Sequence, residues 1–380
     1  MCEKRLVYVC NAGWYFRLHW LARARYFIGE GWSVHLICPM ESAEQKQDLS
    51  KDGLFVHDFR IDRKSIGLVG ALKEFMQLYS MIKKLSPDLI NAITIKPNVY
   101  VGIISVLEGI PAALSVTGLG IIFSSNTIKS KIARVFTLPL YWLIAKFSQR
   151  LFFIFENSND RAVLIERANI PAGKCAVVSG AGVDPSLYRA VPITKVDSTL
   201  KLLYASRLLK SKGLLDLIAA VNRLQEKGYS VELTIAGIVD TNSDDAISLS
   251  EIDAMTSPSH IRYLGERDDV PKLVAETHIV CLPTYYGEGI PRILIEGAAV
   301  GRPLITTDCG GCAEICLNEL NGFIVEAKSP ADLEDKIVRY MRNPDLIFEH
   351  GDFSGRLFLS KFTNEIVFNQ FSTIYNELLD

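Results

Sequence analysis

Residues 284–297 hold the side chains best suited to bind a charged ligand. Their sequence is TYYGEGIPRILIEG, with Glu288 in a Gly-flanked turn and Glu296 further on. A strand is predicted to end near Pro283 and a helix to have Pro291 as its first residue, a position that proline favours. N–H groups of such a turn and helix start suit a diphosphate or the sugar beside it. The two oxygens of Glu296 match the adjacent hydroxyls of a ribose, although a surface turn and an ordinary helix residue would also explain the two glutamates.

Two cations occupy a second turn, in the sequence SRLLKSKG of residues 206–213. Arg207 follows a predicted strand and Lys212 precedes a predicted helix. Both can therefore meet the oxygens of a diphosphate, together with backbone N–H groups. Basic residues in turns are more often simply solvated, so this segment alone does not identify a ligand.

The elements that must position these turns are short apolar runs alternating with longer amphipathic stretches. This pattern predicts an α/β fold, and 380 residues suit two domains. We expect two doubly wound Rossmann-like domains that face each other across a cleft, at the carboxyl ends of their strands. The predicted domains are residues 1–190 and 191–360, and residues 361–380 form a terminal helix that can pack on either domain or cross back to the first.

The predicted strands of the first domain are 6–10, 33–38, 89–92, 112–116, 151–155 and 176–179. Those of the second are 202–205, 231–236, 260–264, 279–282, 303–306 and 322–325. The predicted helices are 19–30, 66–85 and 214–227. Residues 241–259 are predicted to form an exposed loop that can include one helical turn.

The first strand-to-helix turn has the sequence NAGWYF at residues 11–16. It lacks the G-x-G-x-x-G spacing of a dinucleotide site, and the turn itself is enough to explain Gly13. Its position at the mouth of the expected cleft leaves a contact with ligand open.

Charge is unevenly distributed along a chain whose net charge is only −2. Residues 1–190 hold 23 Lys and Arg against 15 Asp and Glu, and no acidic residue lies between Glu108 and Glu156. This balance favours a phosphate-bearing acceptor or an anionic lipid surface, although a solvated surface of uneven charge explains it equally well. Nucleic acid is not expected, because no known binding motif accompanies the charge.

Residues 131–147 combine Arg134 and Lys146 with apolar residues such as Trp142. Pro139 interrupts the segment, so a long regular helix is not expected. The segment is interpreted either as part of the core or as an apolar surface with basic flanks that lies in a membrane interface. No apolar run approaches the roughly 20 residues of a membrane span, and the short charged start of the chain argues against a signal peptide.

The cysteines do not form a pattern that predicts a metal. All eight are scattered, as in a cytoplasmic protein with reduced thiols. Cys309, Cys312 and Cys316 approach the spacing of a zinc site but lack a nearby fourth ligand. No metal and no cofactor are therefore expected.

Most of residues 202–325 resembles glycosyltransferase family 4, whose members are retaining enzymes of the GT-B fold. The resemblance rests on SRLLKSKG, on YLG at 263–265, on EGIPR at 288–292 with its two glutamates, and on NGFIV at 321–325. One departure is Ser206, which stands where the family usually has glycine before the arginine.

The first half of the chain matches the family more loosely. Its motifs are NAGWYF, TIKP at 94–97, SVTGLG at 115–120 and FENSND at 155–160. They are similar to those of bacterial enzymes that extend lipid-linked O-antigen, capsule or N-glycan precursors. Thr117 stands where many relatives carry histidine, which leaves the contact of this half with the transferred sugar open.

The resemblance implies a role for each matched residue. Arg207 and Lys212 bind the diphosphate and stabilise the leaving nucleotide, Glu288 holds hydroxyls of the transferred sugar, and Glu296 binds the ribose. The first three are the expected catalytic residues. The expected site of the nucleotide sugar consists of Arg207, Lys212, Gly237, Gly265, Glu288, Gly289, Ile290, Pro291, Arg292 and Glu296, with the base near Gly265. The candidates on the acceptor side are Asn11, Gly13, Trp14, Lys96, Thr117 and Gly118.

The implied function is transfer of a hexose or N-acetylhexosamine from a nucleotide-diphosphate sugar, expected to be a UDP-sugar. The expected acceptor is a polyprenyl-diphosphate-linked sugar of bacterial surface-glycan assembly, and the expected location is the cytoplasm, in peripheral contact with the inner membrane. The alternatives are a transferase of the same fold with a soluble acceptor, a nucleotide-sugar epimerase, and a non-catalytic subunit that binds nucleotide sugars.

Overall fold

The chain divides into two compact units, each with its own core. The computed structural model describes residues 4–61, 68–120, 128–193, 198–240, 243–256 and 258–380, without the side chains of Leu68, Lys129 and Ile132. One unit is Met1–Ala181 together with Asn364–Asp380, and the other is Gly182–Thr363.

The second unit begins earlier than the predicted boundary between residues 190 and 191. The N–H of Val183 donates to the carbonyl of Phe362 at 3.0 Å, and Tyr188 is buried in the core of the second unit. These contacts attach the segment after Gly182 to the second unit. Residues 194–197 of the polar stretch near the predicted boundary lie outside the described residues.

The first unit is built on seven described parallel strands in the order β3-β2-β1-β4-β5-β6-β7. They are β1 Arg5–Val9, β2 Ser33–Cys38, β3 Phe55–Asp58, β4 Leu89–Ile93, β5 Ala112–Val116, β6 Leu151–Phe155 and β7 Cys175–Val177. Strands β4 and β5 are buried along their whole length, which explains why they are continuous apolar runs in the sequence. The chain order reverses between β1 and β4, and sheets of this kind bind ligands beside such a reversal.

Helices cover both faces of this sheet. Those that precede the second unit are α1 Gly13–His19, α2 Leu21–Gly29, α3 Ala43–Lys51, α4 Leu68–Leu85, α5 Ile95–Glu108, α6 Ile128–Phe147 and α7 Ser158–Ala168. The predicted helix 19–30 is wrong at its start, because helical structure begins at Gly13 and is interrupted at Trp20. Trp20 leaves the helical conformation (φ −124°, ψ −20°), and its ring packs edge-on against Tyr8 with centroids 5.9 Å apart.

Helix α6 is continuous through Pro139, so the prediction that this proline prevents a long helix is wrong. Proline removes one backbone hydrogen bond, which would reach the carbonyl of Val135 four residues earlier. Both side chains lie on the exposed face of the helix, where water can bind that carbonyl. Tyr141 and Ile144 are buried on the opposite face, and this packing stabilises the helix despite the proline.

The second unit contains six described parallel strands in the order β10-β9-β8-β11-β12-β13. They are β8 Leu200–Ala205, β9 Val231–Ala236, β10 Ile261–Tyr263, β11 Ile279–Leu282, β12 Leu304–Thr307 and β13 Gly322–Val325. The chain order reverses between β8 and β11, which pair through Ile279 and Leu202.

The helices of the second unit are α8 Leu214–Glu226, α9 Leu249–Met255, α10 Val270–Ala275, α11 Arg292–Ala299, α12 Cys312–Ile315, α13 Pro330–Arg342 and α14 Asp345–Lys361. Helix α9, with seven residues, is longer than the single helical turn that the prediction allowed within residues 241–259. Ser248 and Glu251 form a capping box at its start, and each satisfies a backbone N–H of the other. This local signal was overlooked in a segment rich in Ser and Asp.

The last helix, α15 Asn364–Leu379, belongs to the first unit. The ring of Phe371 packs edge-on against Trp20, with centroids 5.6 Å apart, and Tyr375 stacks on Phe27 at 4.8 Å. The hydroxyl of Tyr375 donates to Asn91 Oδ1 in β4 at 2.8 Å. The end of the chain therefore completes the core of the first unit. Among the described helices, none combines the length and the apolar character needed to cross a bilayer.

Candidate active site

Residues predicted to bind a nucleotide sugar meet at the carboxyl ends of two central strands of the second unit. Arg207 and Lys212 follow β8, and Glu288 follows β11. These strands are neighbours at the point where the chain order reverses. This edge of the sheet is therefore the candidate site.

Close backbone packing joins the turn after β8 to the turn after β11. Gly213 has φ 75°, in the left-handed region, and a Cβ there would overlap the carbonyl oxygen of Pro283. The N–H of Tyr285 donates to the carbonyl of Ser211 at 2.8 Å. These contacts hold Lys212 beside the turn that carries Glu288.

Lys212 and Glu288 form a buried ion pair, in which Lys212 Nζ contacts Glu288 Oε2. The side chains are 5% and 15% exposed. Glu288 Oε1 is also buried and has no hydrogen-bond partner among the described residues, so a ligand hydroxyl can satisfy it. Burial lowers the pKa of Lys212, and the negative charge of Glu288 acts in the opposite direction.

The turn around Glu288 is backed by two glycines that follow β12. A Cβ at Gly310 would overlap the carbonyl oxygen of Glu288. The N–H of Gly311 donates to the carbonyl of Gly289 at 2.9 Å. Only residues without a side chain allow this approach, which explains the paired glycines at this position.

Two cations of the site share the aromatic ring of Tyr286. Lys212 Nζ lies 5.2 Å from the ring centroid and Arg207 Cζ lies 5.9 Å from it, both within cation–π range. Arg207 Nη1 also donates to Asp240 Oδ2 at 2.8 Å. The site therefore presents two oriented positive charges, which can bind a diphosphate and stabilise charge on a leaving group.

Glu296 is buried in helix α11, where two hydrogen-bond donors reach its Oε1. The hydroxyl of Tyr188 donates at 2.6 Å and Arg292 Nε at 2.7 Å. The sequence suggests that both oxygens of this carboxylate are available to a ribose. In the structure, Oε1 instead accepts its hydrogen bonds from within the protein, because Tyr188 and Arg292 both donate to it.

Gly237 and Gly265 follow the neighbouring strands β9 and β10 at the same edge of the sheet. The N–H of Gly237 donates to the carbonyl of Gly265 at 2.8 Å, and the hydroxyl of Tyr263 donates to the carbonyl of Gly237 at 3.0 Å. Backbone groups of these two glycines thus bond to each other and to Tyr263 at this part of the edge.

Pro291 lies one residue before helix α11, so the prediction that it is the first helical residue is wrong. Its ψ of 123° is extended, and the helix begins at Arg292. Gly289 and Ile290 complete the turn, and Ile290 is buried. The turn is therefore anchored in the core just before the helix starts.

The acceptor-side candidates lie along the carboxyl edge of the sheet in the first unit. Asn11, Gly13 and Trp14 follow β1, Lys96 lies in the first turn of α5 after β4, and Thr117 and Gly118 follow β5. Strands β1 and β4 are those between which the chain order reverses. Lys96 Nζ pairs with Glu74 Oε2 at 2.7 Å, so its charge is partly compensated.

The three cysteines with zinc-like spacing have separate surroundings. Cys312 and Cys316 are buried, Cys309 Sγ contacts the carbonyl of Tyr286 at 3.4 Å, and Cys316 Sγ contacts the carbonyl of Leu304 at 3.8 Å. Within the described ranges, no cluster of three or more His, Cys, Asp or Glu side chains could hold a metal ion.

Sequence reasoning overlooked two residues that orient the charged groups, Tyr188 and Asp240. Tyr188 lies near the end of the first predicted domain, and Asp240 lies four residues after the end of β9. Nothing local to either residue indicates its partner, because each contact joins segments distant in sequence. The only sequence signal for Asp240 is that it is the first acidic residue after a strand that ends at the predicted ligand-binding edge.

Known sequence families match both halves of the chain. The family described as glycosyl transferases group 1 matches residues 191–350, and the family described as glycosyl transferase 4-like matches residues 5–154. The two matches together span most of the chain. The first contains every described strand of the second sheet, and the second covers β1 to β5 and most of β6.

Two bacterial relatives align with most of the chain. One is the N,N'-diacetylbacillosaminyl-diphospho-undecaprenol alpha-1,3-N-acetylgalactosaminyltransferase of Campylobacter jejuni, 27% identical over 317 residues that cover 80% of each protein. The other is the UDP-Gal:alpha-D-GlcNAc-diphosphoundecaprenol alpha-1,3-galactosyltransferase of Escherichia coli. It is 24% identical over 289 residues, which cover 73% of this chain and 72% of the relative.

Solved structures confirm the expected fold. Anabaena HepE in complex with UDP and glucose superposes with a TM-score of 0.80 at 19% identity, covering 99% of this chain and 100% of that one. A glycosyltransferase from Rickettsia africae gives a TM-score of 0.77 at 18% identity and covers 100% of both chains. With the family matches over both halves, these findings show that the chain is a glycosyltransferase of the GT-B fold and belongs to family 4.

Proposed function

We propose that this chain transfers a hexose or N-acetylhexosamine from a UDP-sugar to a polyprenyl-diphosphate-linked sugar, with retention, in bacterial surface-glycan assembly. The observation that carries the proposal is the convergence of Arg207, Lys212 and Glu288 at the carboxyl ends of β8 and β11. Both relatives described above are named for undecaprenyl-diphosphate-linked acceptors, and a structural neighbour was solved with UDP and glucose.

Arg207 and Lys212 bind the diphosphate of the nucleotide sugar. When the bond between the anomeric carbon and the phosphate oxygen breaks, its electron pair stays on the leaving UDP, and the two fixed cations stabilise that charge. Arg207 offers a bidentate contact to phosphate and Lys212 a point charge. The acceptor hydroxyl attacks from the face that UDP leaves, and a phosphate oxygen takes its proton. No protein nucleophile is then required.

The remaining residues of the second unit hold the two ends of the nucleotide sugar. Glu288 Oε1 accepts a hydrogen bond from a hydroxyl of the transferred sugar, and Glu296 accepts one from the ribose. Backbone groups at Gly237 and Gly265 receive the base. The turn 289–292 supplies N–H groups near the diphosphate, at the start of helix α11.

The carboxyl edge of the first sheet binds the acceptor in this proposal. Asn11, Trp14 and Thr117 offer hydrogen bonds to the acceptor sugar, and Gly13 and Gly118 allow its close approach. Lys96, which already pairs with Glu74, adds positive charge for the acceptor diphosphate.

Helix α6 is the surface that we propose contacts the membrane. Its outer face exposes Ile128, Val135, Phe136, Trp142, Leu143 and Phe147, opposite the face that Tyr141 and Ile144 bury. Lys131 and Lys146 are exposed on the same helix, and Lys146 Nζ lies 4.8 Å from the ring centroid of Trp142. An apolar face with basic residues among its aromatic rings suits the interface of an anionic membrane.

We propose no resident metal or cofactor, since Arg207 and Lys212 can compensate the charge of the diphosphate. Transfer activity should then persist at full rate in excess EDTA. Loss of activity that added Mg²⁺ or Mn²⁺ restores would contradict this part of the proposal.

The test of the whole proposal combines purified protein, a panel of UDP-hexoses and UDP-N-acetylhexosamines, and an undecaprenyl-diphosphate-linked N-acetylhexosamine. UDP release should require the acceptor, and NMR of the extended glycan should show an α linkage from an α-configured sugar nucleotide. Equal release without acceptor would indicate the epimerase alternative. Release only with a water-soluble acceptor would indicate a soluble substrate, and binding without release would indicate a non-catalytic subunit.

A further inference from the structure

Both the backbone and the side chain of Tyr188 are held in place beside Glu296. Its N–H donates to the carbonyl of Asp184 at 3.0 Å, and the residue is only 6% exposed within the core of the second unit. Its hydroxyl donates to Glu296 Oε1 at 2.6 Å. The hydroxyl therefore has a defined position before any ligand binds.

The two hydrogen bonds to Glu296 determine which oxygen a ligand can use. A carboxylate oxygen has two acceptor sites, and Tyr188 and Arg292 occupy both on Oε1. The terminal torsion of glutamate is otherwise broad, so an unrestrained carboxylate would rotate. With Oε1 held, Oε2 is the oxygen left for a ligand hydroxyl.

Tyr188 contributes something that Arg292 alone cannot. Arg292 lies one turn from Glu296 on the same helix, so it can follow the glutamate when that side chain moves. Tyr188 reaches Glu296 from a distant segment and fixes it relative to the rest of the unit. Burial, together with the negative charge of Glu296, raises the pKa of Tyr188, so the phenol stays protonated and remains a hydrogen-bond donor.

We infer that Tyr188 is a positioning residue that holds Glu296 so that Oε2 meets one ribose hydroxyl of a nucleoside diphosphate. Tyr188 thereby sets the preference of the site for ribose over deoxyribose. This inference rests on the proposed function, because it assumes that Glu296 meets the ribose.

The experiment measures the affinity of UDP, 2′-deoxy-UDP and 3′-deoxy-UDP by calorimetry. Wild type should prefer UDP over one of the two deoxy analogues by about tenfold or more, the effect of losing a hydrogen bond to a charged group. Tyr188→Phe should reduce that preference at least threefold, with the affinity for that deoxy analogue nearly unchanged. In the Glu296→Gln background, Tyr188→Phe should change the preference no further.

The matched control is Tyr340→Phe, which removes another buried hydroxyl of the second unit, one bonded to His350 Nδ1 at 2.7 Å. It should lower the melting temperature and leave the preference for ribose intact. An unchanged preference in Tyr188→Phe, or an equal loss in Tyr340→Phe, would overturn the inference. Wild type that binds UDP without any ribose preference would also overturn it. Wild type that binds no UDP would instead overturn the proposed function.

Discussion

Lys212 and Glu288, to which the sequence assigns different parts of one ligand, form a buried ion pair with each other. In the proposed function, each is therefore the other's partner as well as a ligand contact. A diphosphate bound as proposed would add a second anion beside Lys212, which would leave Glu288 better able to accept from a sugar hydroxyl. The charge of one ligand group is thus coupled to the hydrogen bonding of the next.

Lys212→Met should weaken UDP binding at least tenfold while leaving uridine binding unchanged, because only UDP carries the diphosphate. The same variant should lower stability, since losing one partner of a buried ion pair costs about 3–5 kcal/mol. Adding Glu288→Gln should restore much of the melting temperature without restoring UDP affinity. Lys227→Met, which breaks the surface pair with Glu334, should change neither quantity by much. Equal losses for UDP and uridine would contradict the assignment of Lys212.

Glu296→Ala should weaken UDP binding at least tenfold, because a hydrogen bond to a charged group contributes about 1.5–3 kcal/mol. Calorimetry with free UDP measures the effect. Glu296→Gln keeps the shape of the side chain and separates the loss of charge from the loss of packing. Unchanged UDP affinity in both variants would remove Glu296 from the site.

Protein purified without added metal should contain no stoichiometric zinc, because Cys309, Cys312 and Cys316 offer only three ligands. Elemental analysis is the measurement. One zinc per chain that disappears in Cys312→Ser would overturn this prediction.

Helix α6 should bind anionic vesicles in a salt-sensitive manner. Replacing Lys131, Arg134 and Lys146 of the helix, together with Arg150 just after it, with Gln should reduce sedimentation with phosphatidylglycerol vesicles, because each basic residue near such a surface contributes about 1 kcal/mol. Replacing Val135, Phe136 and Leu143 with Ser should reduce the part of binding that survives high salt. Neither set should change hydrolysis of the UDP-sugar by water.

The control for the vesicle experiment is Leu359→Ser, an exposed apolar residue of helix α14 in the second unit. It should sediment like wild type. If both α6 variants also sediment like wild type, or lose UDP-sugar hydrolysis in parallel with vesicle binding, the membrane role of the helix is wrong.

Stability should fall as the pH drops from about 6.5 to about 4, in part because of His35. His35 Nδ1 lies 3.0 Å from His57 Nε2, and burial, helped by the charges of His57 and Arg5, lowers the pKa of His35 to about 4. Between these pH values the unfolded chain binds a proton that the folded chain excludes, so acid favours unfolding. Urea titrations at pH 4.5, 5.5 and 7 should show this slope, and His35→Gln should flatten it. A slope unchanged in that variant would assign the effect to other groups.

The central strands were predictable because they are buried on both faces and therefore appear as short apolar runs. Strand β3 was missed, because its residues are only partly buried or exposed and form no such run. The carboxyl edge of each sheet follows from parallel topology, so the sequence could place Arg207 and Glu288 at the same edge of the second sheet. Both residues lie in short motifs of consecutive residues, which can be recognised in a single sequence.

Contacts between distant segments could not be predicted from the sequence. The bond from Tyr188 to Glu296 and the one from Arg207 to Asp240 depend on how loops approach after the sheet has formed. Helix α6 continues through Pro139 for a related reason. The packing of Tyr141 and Ile144 stabilises the helix by more than the single missing backbone hydrogen bond destabilises it.

The return of helix α15 to the first unit means that this unit is interrupted by the whole of the second. During synthesis, Phe371 and Tyr375, which pack on Trp20 and Phe27, are made after the whole of the second unit. The second unit can therefore fold while the first still exposes an aromatic surface. A fragment that stops at Ala181 leaves that surface uncovered, whereas joining 364–380 to it through a short linker would restore its partners.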